Sequence, residues 1–234
     1  MVRIFLLFLL AIFSFSVFGQ DTLNITDYQG RKQGSWRKVD SLGRTIYEGR
    51  FKDGFPGGEF RFFYPDGKLK TVSVISNQGK KARTVSYFPN GRKMATGIYL
   101  DKKKDSTWQF FSESNGTLVS EQSFQSGLAN GPSKVFYPDG GLSEIHNFRN
   151  DIMEGIWEQY FLEGKLKLHA TYKTGEKQGS FQTFYSSGKI MISGQYDAGH
   201  QDGTWVYYNE NGSISKKEIY IRGNLIKVEE PGKK

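Results

Sequence analysis

The sequence predicts an all-β protein: an elongated single-layer antiparallel β-sheet, run as a meander from about eight 24-residue β-hairpin repeats behind an N-terminal signal-peptide helix. Three observations predict it. Glycines recur at Gly43, Gly67, Gly91, Gly116, Gly140, Gly164, Gly188 and Gly212, at spacings of 24, 24, 25, 24, 24, 24 and 24 residues. Nearly the same phrase closes on several of them, as FFYPDG ending at Gly67, SYFPNG ending at Gly91 and VFYPDG ending at Gly140. Aromatic residues reach 15% of the chain and fall in register with the glycines, where an ordinary core would use Leu, Ile and Val. A period of this length means units that cannot each hold a core alone.

Residues 1–19 come first and read as a signal peptide. Arg3 supplies the positive start, 4–18 is an apolar run broken only by serine, and Gly19 offers a small residue at the cleavage point. The run is shorter than the roughly 20 residues a spanning helix needs, so no transmembrane span is expected after cleavage. The sequence contains no cysteine, which removes disulfides, thiolate metal sites and a lipoprotein anchor. Residues 20–29 form a short lead-in, 30–223 the repeat array, and 224–234 a strand end with a charged tail.

Inside each unit the phrase Tyr64-Pro65-Asp66-Gly67 is a tight turn. Proline presets the first central residue, aspartate tolerates the second, and glycine takes the left-handed position. A second ladder, Gly34, Gly58, Ala82, Ser106, Gly131, Gly155, Gly179 and Gly203, opens the other strand after a polar loop with a glycine at each end, as Gly54 to Gly58. Two strands and two connections consume the repeat, leaving no room for a helix and giving about sixteen strands. Ile219 to Val228 reads as the last of them, ended by Glu229, Glu230 and Pro231.

Two residues past the second ladder stands a structural aromatic column: Trp36, Phe60, Trp108, Trp157, Phe181 and Trp205, broken by Thr84 and Ser133. A small column, Gly49, Ser73, Gly97, Ala170 and Gly194, is expected opposite it, letting each ring lie flat across a neighbouring strand. At about 10 Å of advance per unit the array would extend on the order of 75 Å.

With these columns in place, Ile46-Tyr47-Glu48-Gly49-Arg50-Phe51-Lys52-Asp53-Gly54 before Gly58-Glu59-Phe60, and Ser193-Gly194-Gln195-Tyr196 before Gly203-Thr204-Trp205, resemble MORN-type repeats. They are nearest the bacterial variant labelled antitoxin-like. The resemblance covers 30–223 and departs from the pattern in units three and four, at Ala82, Thr84 and Ser106. It implies a scaffold or interaction surface with no catalytic residues to carry over.

Residue chemistry points the same way. His146 and His169 fall on opposite faces by alternation, His200 sits on a loop tip, and Asp66 and Asp139 lie too far apart to work as a pair. No enzyme, cofactor or metal is expected. The formal net charge is +8, and six cations, Lys80, Lys81, Arg83, Lys102, Lys103 and Lys104, gather at two neighbouring tips and offer a contact for a polyanion or partner. The expected role is an exported scaffold, periplasmic, cell-surface or secreted, binding an unknown protein or anionic envelope component. Nucleic acid is disfavoured by the export signal and the lack of a nucleic-acid module. Carbohydrate or cell-wall binding through exposed aromatic rows is one alternative, and neutralisation of a toxin partner is another.

Overall fold

The structure, a computed structural model, describes residues 22–232; the predicted signal helix lies outside them. The chain forms β1 (Ile25–Thr26), β2 (Lys32–Val39), β3 (Thr45–Lys52), β4 (Phe55–Phe63), β5 (Leu69–Ser76), β6 (Lys81–Tyr87), β7 (Lys93–Leu100), β8 (Lys103–Phe111), β9 (Leu118–Gln125) and β10 (Leu128–Phe136). It continues through β11 (Leu142–Arg149), β12 (Ile152–Met153), β13 (Gly155–Tyr160), β14 (Leu166–Lys173), β15 (Glu176–Phe184), β16 (Ile190–Asp197), β17 (His200–Tyr208), β18 (Ile214–Ile221) and β19 (Asn224–Glu229). Each strand pairs antiparallel with the next, and β12 and β13 share one lane, both pairing with β11 around a break at Glu154. The result is one open antiparallel meander, on the order of 80 Å along its contour at about 4.8 Å per strand.

The turn phrase builds what its residues favour. Tyr64 N–H donates to Lys68 O and Gly67 N–H to Tyr64 O, with Gly67 at φ 83°, a type I turn closed by a left-handed glycine. The register slips by one residue beside it, Phe62 pairing with Thr71 and Phe63 with Leu69. Tyrosines in the phrase also join units: the hydroxyls of Tyr64, Tyr137 and Tyr185 donate to the carbonyls of Tyr87, Tyr160 and Tyr208, each at 2.7 Å.

The other connection corrects the sequence reading. The loop is only two residues long, as Asp53-Gly54 between paired Lys52 and Phe55, and both residues have positive φ, the type I′ hairpin turn. The next glycine, Gly58, is a bulge inside β4: residues 58–60 stand against Gly49 alone, while Glu48 pairs with Arg61 and Arg50 with Gly57. The bulge bends each hairpin and seats the following ring over its neighbour. Phe55, Leu128 and Ile152 therefore open strands directly after these turns. A second correction concerns the C-terminus. Arg222-Gly223, at φ 49° and 83°, splits the expected last strand into β18 and β19.

Cohesion comes from the ring face. Trp36 pairs with Gly49, Phe181 with Gly194 and Ala170 with Phe181, which is the predicted opposition of small and aromatic columns. A methyl built on Gly49, Gly97 or Gly194 would overlap the ring of Phe60, Trp108 or Trp205. Those three rings are only 2–3% exposed although the sheet is a single layer. Each is boxed edge-on by neighbours, as Trp205 by Tyr196 at 5.2 Å and Tyr220 at 6.3 Å. Burying one such side chain contributes about 1.5–3 kcal/mol, and edge-to-face contact adds about 0.5–1.5 kcal/mol.

Candidate functional site

The ring row has two gaps, and they are filled differently. At Ser133 the row turns polar. His146 takes the place of a small residue and stacks on Trp157 at 5.9 Å, and Glu144 accepts from Trp157 Nε1 at 2.5 Å and Gln159 Nε2 at 3.0 Å, with His146 Nε2 also 3.0 Å away. Partial burial raises the Glu144 carboxyl, but the Gln159 and Trp157 donors and His146 outweigh it and hold the group below the usual carboxylate range. His169 lies on the opposite face, as alternation predicts, 3.0 Å from Glu158. Glu158 also accepts from the Tyr160 hydroxyl, and burial together with that carboxylate pushes the phenol up to about 12. His200 opens β17 and remains exposed. Among the described residues no group of three or more His, Cys, Asp or Glu is placed to hold a metal ion.

At Thr84 the gap stays hollow. A groove of about 560 Å³ opens there, walled by Phe62, Ile75 and Tyr99 and rimmed by Lys70, Lys80 and Lys102. Its floor is two cross-strand hydroxyl pairs, Ser73 Oγ to Thr84 Oγ1 at 2.9 Å and Thr71 Oγ1 to Ser86 Oγ at 3.3 Å. The size lies within the ~300–1,000 Å³ of small-ligand pockets.

The backbone around this hollow departs from the rest of the array. Pairings β3–β4, β7–β8, β9–β10, β14–β15 and β16–β17 all slip register on the loop side, whereas β5–β6 runs unbroken from Thr71–Ser86 to Ser76–Lys81. Ala82, unlike every other member of its ladder, has no positive φ and forms no bulge. The surplus residues pass into a longer connection, Asn77–Lys80, with a 3₁₀ turn and left-handed Asn77 (φ 50°) and Gln78 (φ 55°). Elsewhere a side chain from one unit staples the next loop, as Gln33 Oε1 accepting from Asp53 N and Gln178 Oε1 from Ala198 N. The equivalent positions in units two and three are Gly57 and Lys81, neither of which can accept.

The six candidate cations separate around this site. Lys80 and Lys102 rim the hollow. Alternation sends Lys81 and Arg83 to the face opposite Ala82 and Thr84. Lys103 lays its stem by Gly127 on the neighbouring tip. Lys104 lies over the rings of Trp108, Phe110 and Phe124 at 4.9–5.0 Å, where desolvation lowers its pKa. A lysine four residues before the ring recurs in this role, Lys32 over Trp36 at 4.4 Å and Lys177 over Phe181 at 5.5 Å. Sequence reasoning missed this column, although its spacing was available. Unit four is also more regular than expected: Ser106 keeps the bulge at φ 60° and Trp108 fills the row.

An open meander of β-hairpin units, packed by a row of rings over small residues, defines a β-repeat protein. The chain belongs to the MORN-repeat proteins: the MORN repeat variant matches residues 56–73, 129–150, 153–174, 177–198 and 201–221. The matched segments leave out 74–128, which supplies Ile75, Thr84 and Tyr99 to the hollow, while Phe62, Thr71 and Ser73 lie within the matched 56–73. No curated protein matches the chain. Among solved structures it is similar to part of a TcdB2–TccC3–TEV crystal structure, with 12% identity and a TM-score of 0.23 over 84% of this chain. It is also similar to part of the Photorhabdus luminescens Tc holotoxin pore, with 13% identity and a TM-score of 0.20 over 80%. It spans only 13% and 11% of those chains.

Proposed function

We propose that this chain is an exported, non-enzymatic repeat scaffold that binds another macromolecule through its sheet surface and loop edge. The observation that carries the reading is the open single layer itself. The rings consolidate one face, while the strands keep apolar side chains in solvent, as Val74 at 50%, Ile156 at 45% and Leu225 at 50% exposure. A sheet that long presents many aligned contacts without a closed pocket. Its partly buried carboxylates have internal partners: Glu144 receives Trp157 and Gln159, and Glu218 receives Tyr207, Tyr220 and Lys216. The leader composition and the positive net charge support a partner in the envelope, either a protein or an anionic surface component.

The carbohydrate alternative needs open ring faces for sugars to stack on, and Phe60, Trp108 and Trp205 are nearly closed. Nothing in the geometry favours toxin neutralisation. The test is capture from the native envelope fraction with the purified full chain as bait, alongside mass measurement of the chain recovered from each cell fraction. A specific stoichiometric partner and a mature N-terminus near residue 20 are expected. A chain that keeps residue 1 and remains in the cytosol would overturn export, and failure to retain any envelope component would overturn the scaffold reading.

A further inference from the structure

The geometry points to the hollow at Thr84 as a socket for a single aromatic side chain, offered by an acidic segment of a partner protein. The inference rests on the scaffold reading and names where and what the scaffold grips.

The walls are already those of a ring site. Phe62, Ile75 and Tyr99 stand around it, and the row itself resumes at Phe60 and Trp108 in the adjoining units, Tyr99 meeting Trp108 edge-on at 4.8 Å. The small residue over which a ring would lie is present as Ser73, 6% exposed, the counterpart of Gly49 and Gly97. Only the ring is missing, because Thr84 stands where Phe60 and Trp108 stand in adjoining units. Thr84 is itself only 4% exposed, so an incoming ring would rest mainly against Phe62, Ile75 and Tyr99, and the hydroxyls at the bottom, which retain hydrogen-bonding capacity, favour tyrosine or tryptophan over phenylalanine.

Lys80 supplies the second, independent observation. It occupies the column of Lys32, Lys104 and Lys177, each of which lies over a ring of its own chain. In unit three that ring is absent, and Lys80 is exposed with no ring beneath it. No carboxylate of the described residues lies within ion-pair distance of Lys80 or Lys102, although Asp101 is next in sequence to Lys102. A guest ring would therefore meet a cation above it, and carboxylates flanking that ring in the guest would meet two unpaired ammonium groups. The loops bearing these lysines also lack the side-chain staples found at other tips and are joined to each other through the backbone, Asp101 N–H donating to Lys80 O at 2.6 Å.

The test uses the full chain and two short acidic peptides, one carrying a single tryptophan and the other identical with alanine in its place. The tryptophan peptide should shift the backbone amide signals of Ser73 and Thr84 saturably, and the alanine peptide should not. Thr84→Trp, which places in the gap the residue that Trp108 provides one unit on, should abolish binding while keeping the β-sheet spectrum. Lys80→Ala with Lys102→Ala should weaken binding by about tenfold or more. If Thr84→Trp does not fold, this surface pair decides alone, and unchanged affinity overturns the socket. Equal binding of both peptides also overturns it and leaves simple charge attraction, as does a shift map that misses Ser73 and Thr84. Envelope capture that Thr84→Trp leaves intact sinks the socket and spares the scaffold, whereas capture lost even in the wild-type chain sinks both.

Discussion

The C-terminal arm from Gly155 to Ile221 and the third unit from Ser76 to Gly97 are built from the same repeat with opposite emphasis. In the arm, Trp157, Phe181 and Trp205 run as a continuous row over Ala170 and Gly194, with Lys177 above, and each loop is a two-residue turn followed by a bulge. In the third unit, hydroxyls replace the ring, the bulge is gone, the loop is longer and its lysine covers nothing. The comparison separates two jobs that the repeat elsewhere performs together. The row holds the sheet, and a gap in the row makes a surface that something else can fill.

If the row holds the sheet, removing a ring from the arm should cost far more than altering the gap. Trp205→Ala is expected to destabilise the chain by about 3–5 kcal/mol. Thr84→Ala, which leaves the Ser73 hydroxyl without its partner, should cost about 1–3 kcal/mol. Urea unfolding followed by far-UV circular dichroism checks both. Equal costs would mean that the gap is as structural as the row.

The small column sharpens the same point from beneath. Gly97→Val places a side chain under Trp108, forcing the ring off the sheet, and should cost about 1–3 kcal/mol. Ser73→Val lies beneath no ring and should cost less in packing, the loss of its bond to Thr84 being the main term. Thermal midpoints of the two variants measured together decide the order.

At the end of the arm the small column finishes in Glu218, 8% exposed, where no further ring needs a flat neighbour. Lys216 and the hydroxyls of Tyr207 and Tyr220 donate to it and hold its pKa below 4.5. A carboxyl depressed in the folded state stabilises the fold above its unfolded value, and that contribution disappears as pH falls through the lower, folded value. Glu218→Gln should therefore lose about 1–2 kcal/mol at neutral pH and show a flatter stability profile below about pH 4.5. A profile as steep as the wild-type one would assign the acid sensitivity to other groups. The matching prediction for Tyr207, whose pKa is raised by burial and by Glu218, is a contribution present below pH 10 and lost only in strong alkali.

Nearly all of the architecture was legible in the sequence because a period repeats its own measurement. Eight evenly spaced turn glycines located the turns, and the columns placed Trp36 against Gly49 before any pairing was known. The loop side was less legible. A glycine that ends a loop and a glycine that makes a bulge look alike in a sequence, so Gly58 read as a boundary although it lies within β4. The charged residues were least legible, since alternation and stem packing decide where an ammonium ends up. Lys104 left the edge for the rings and Arg83 went to the other face. Thr84 could be flagged as a departure, but that departure became a hollow only when Phe62 and Tyr99 were seen as its walls.

The smallest expected effect tests the bulge directly, through one substitution made at two equivalent positions. Ser106 bears a side chain at φ 60°, a conformation that glycine adopts without strain, so Ser106→Gly should stabilise the chain by about 0.5–1 kcal/mol. Ala82 has no positive φ and sits in an unbroken ladder, so Ala82→Gly gains no relief and loses backbone entropy, a cost of about 0.5–1 kcal/mol. The signs should oppose, and the difference between the two thermal shifts is easier to resolve than either alone. Two shifts of the same sign would mean that unit three forms the ordinary bulge after all. The longer Asn77–Lys80 connection, and the hollow beside it, would then lose their structural cause.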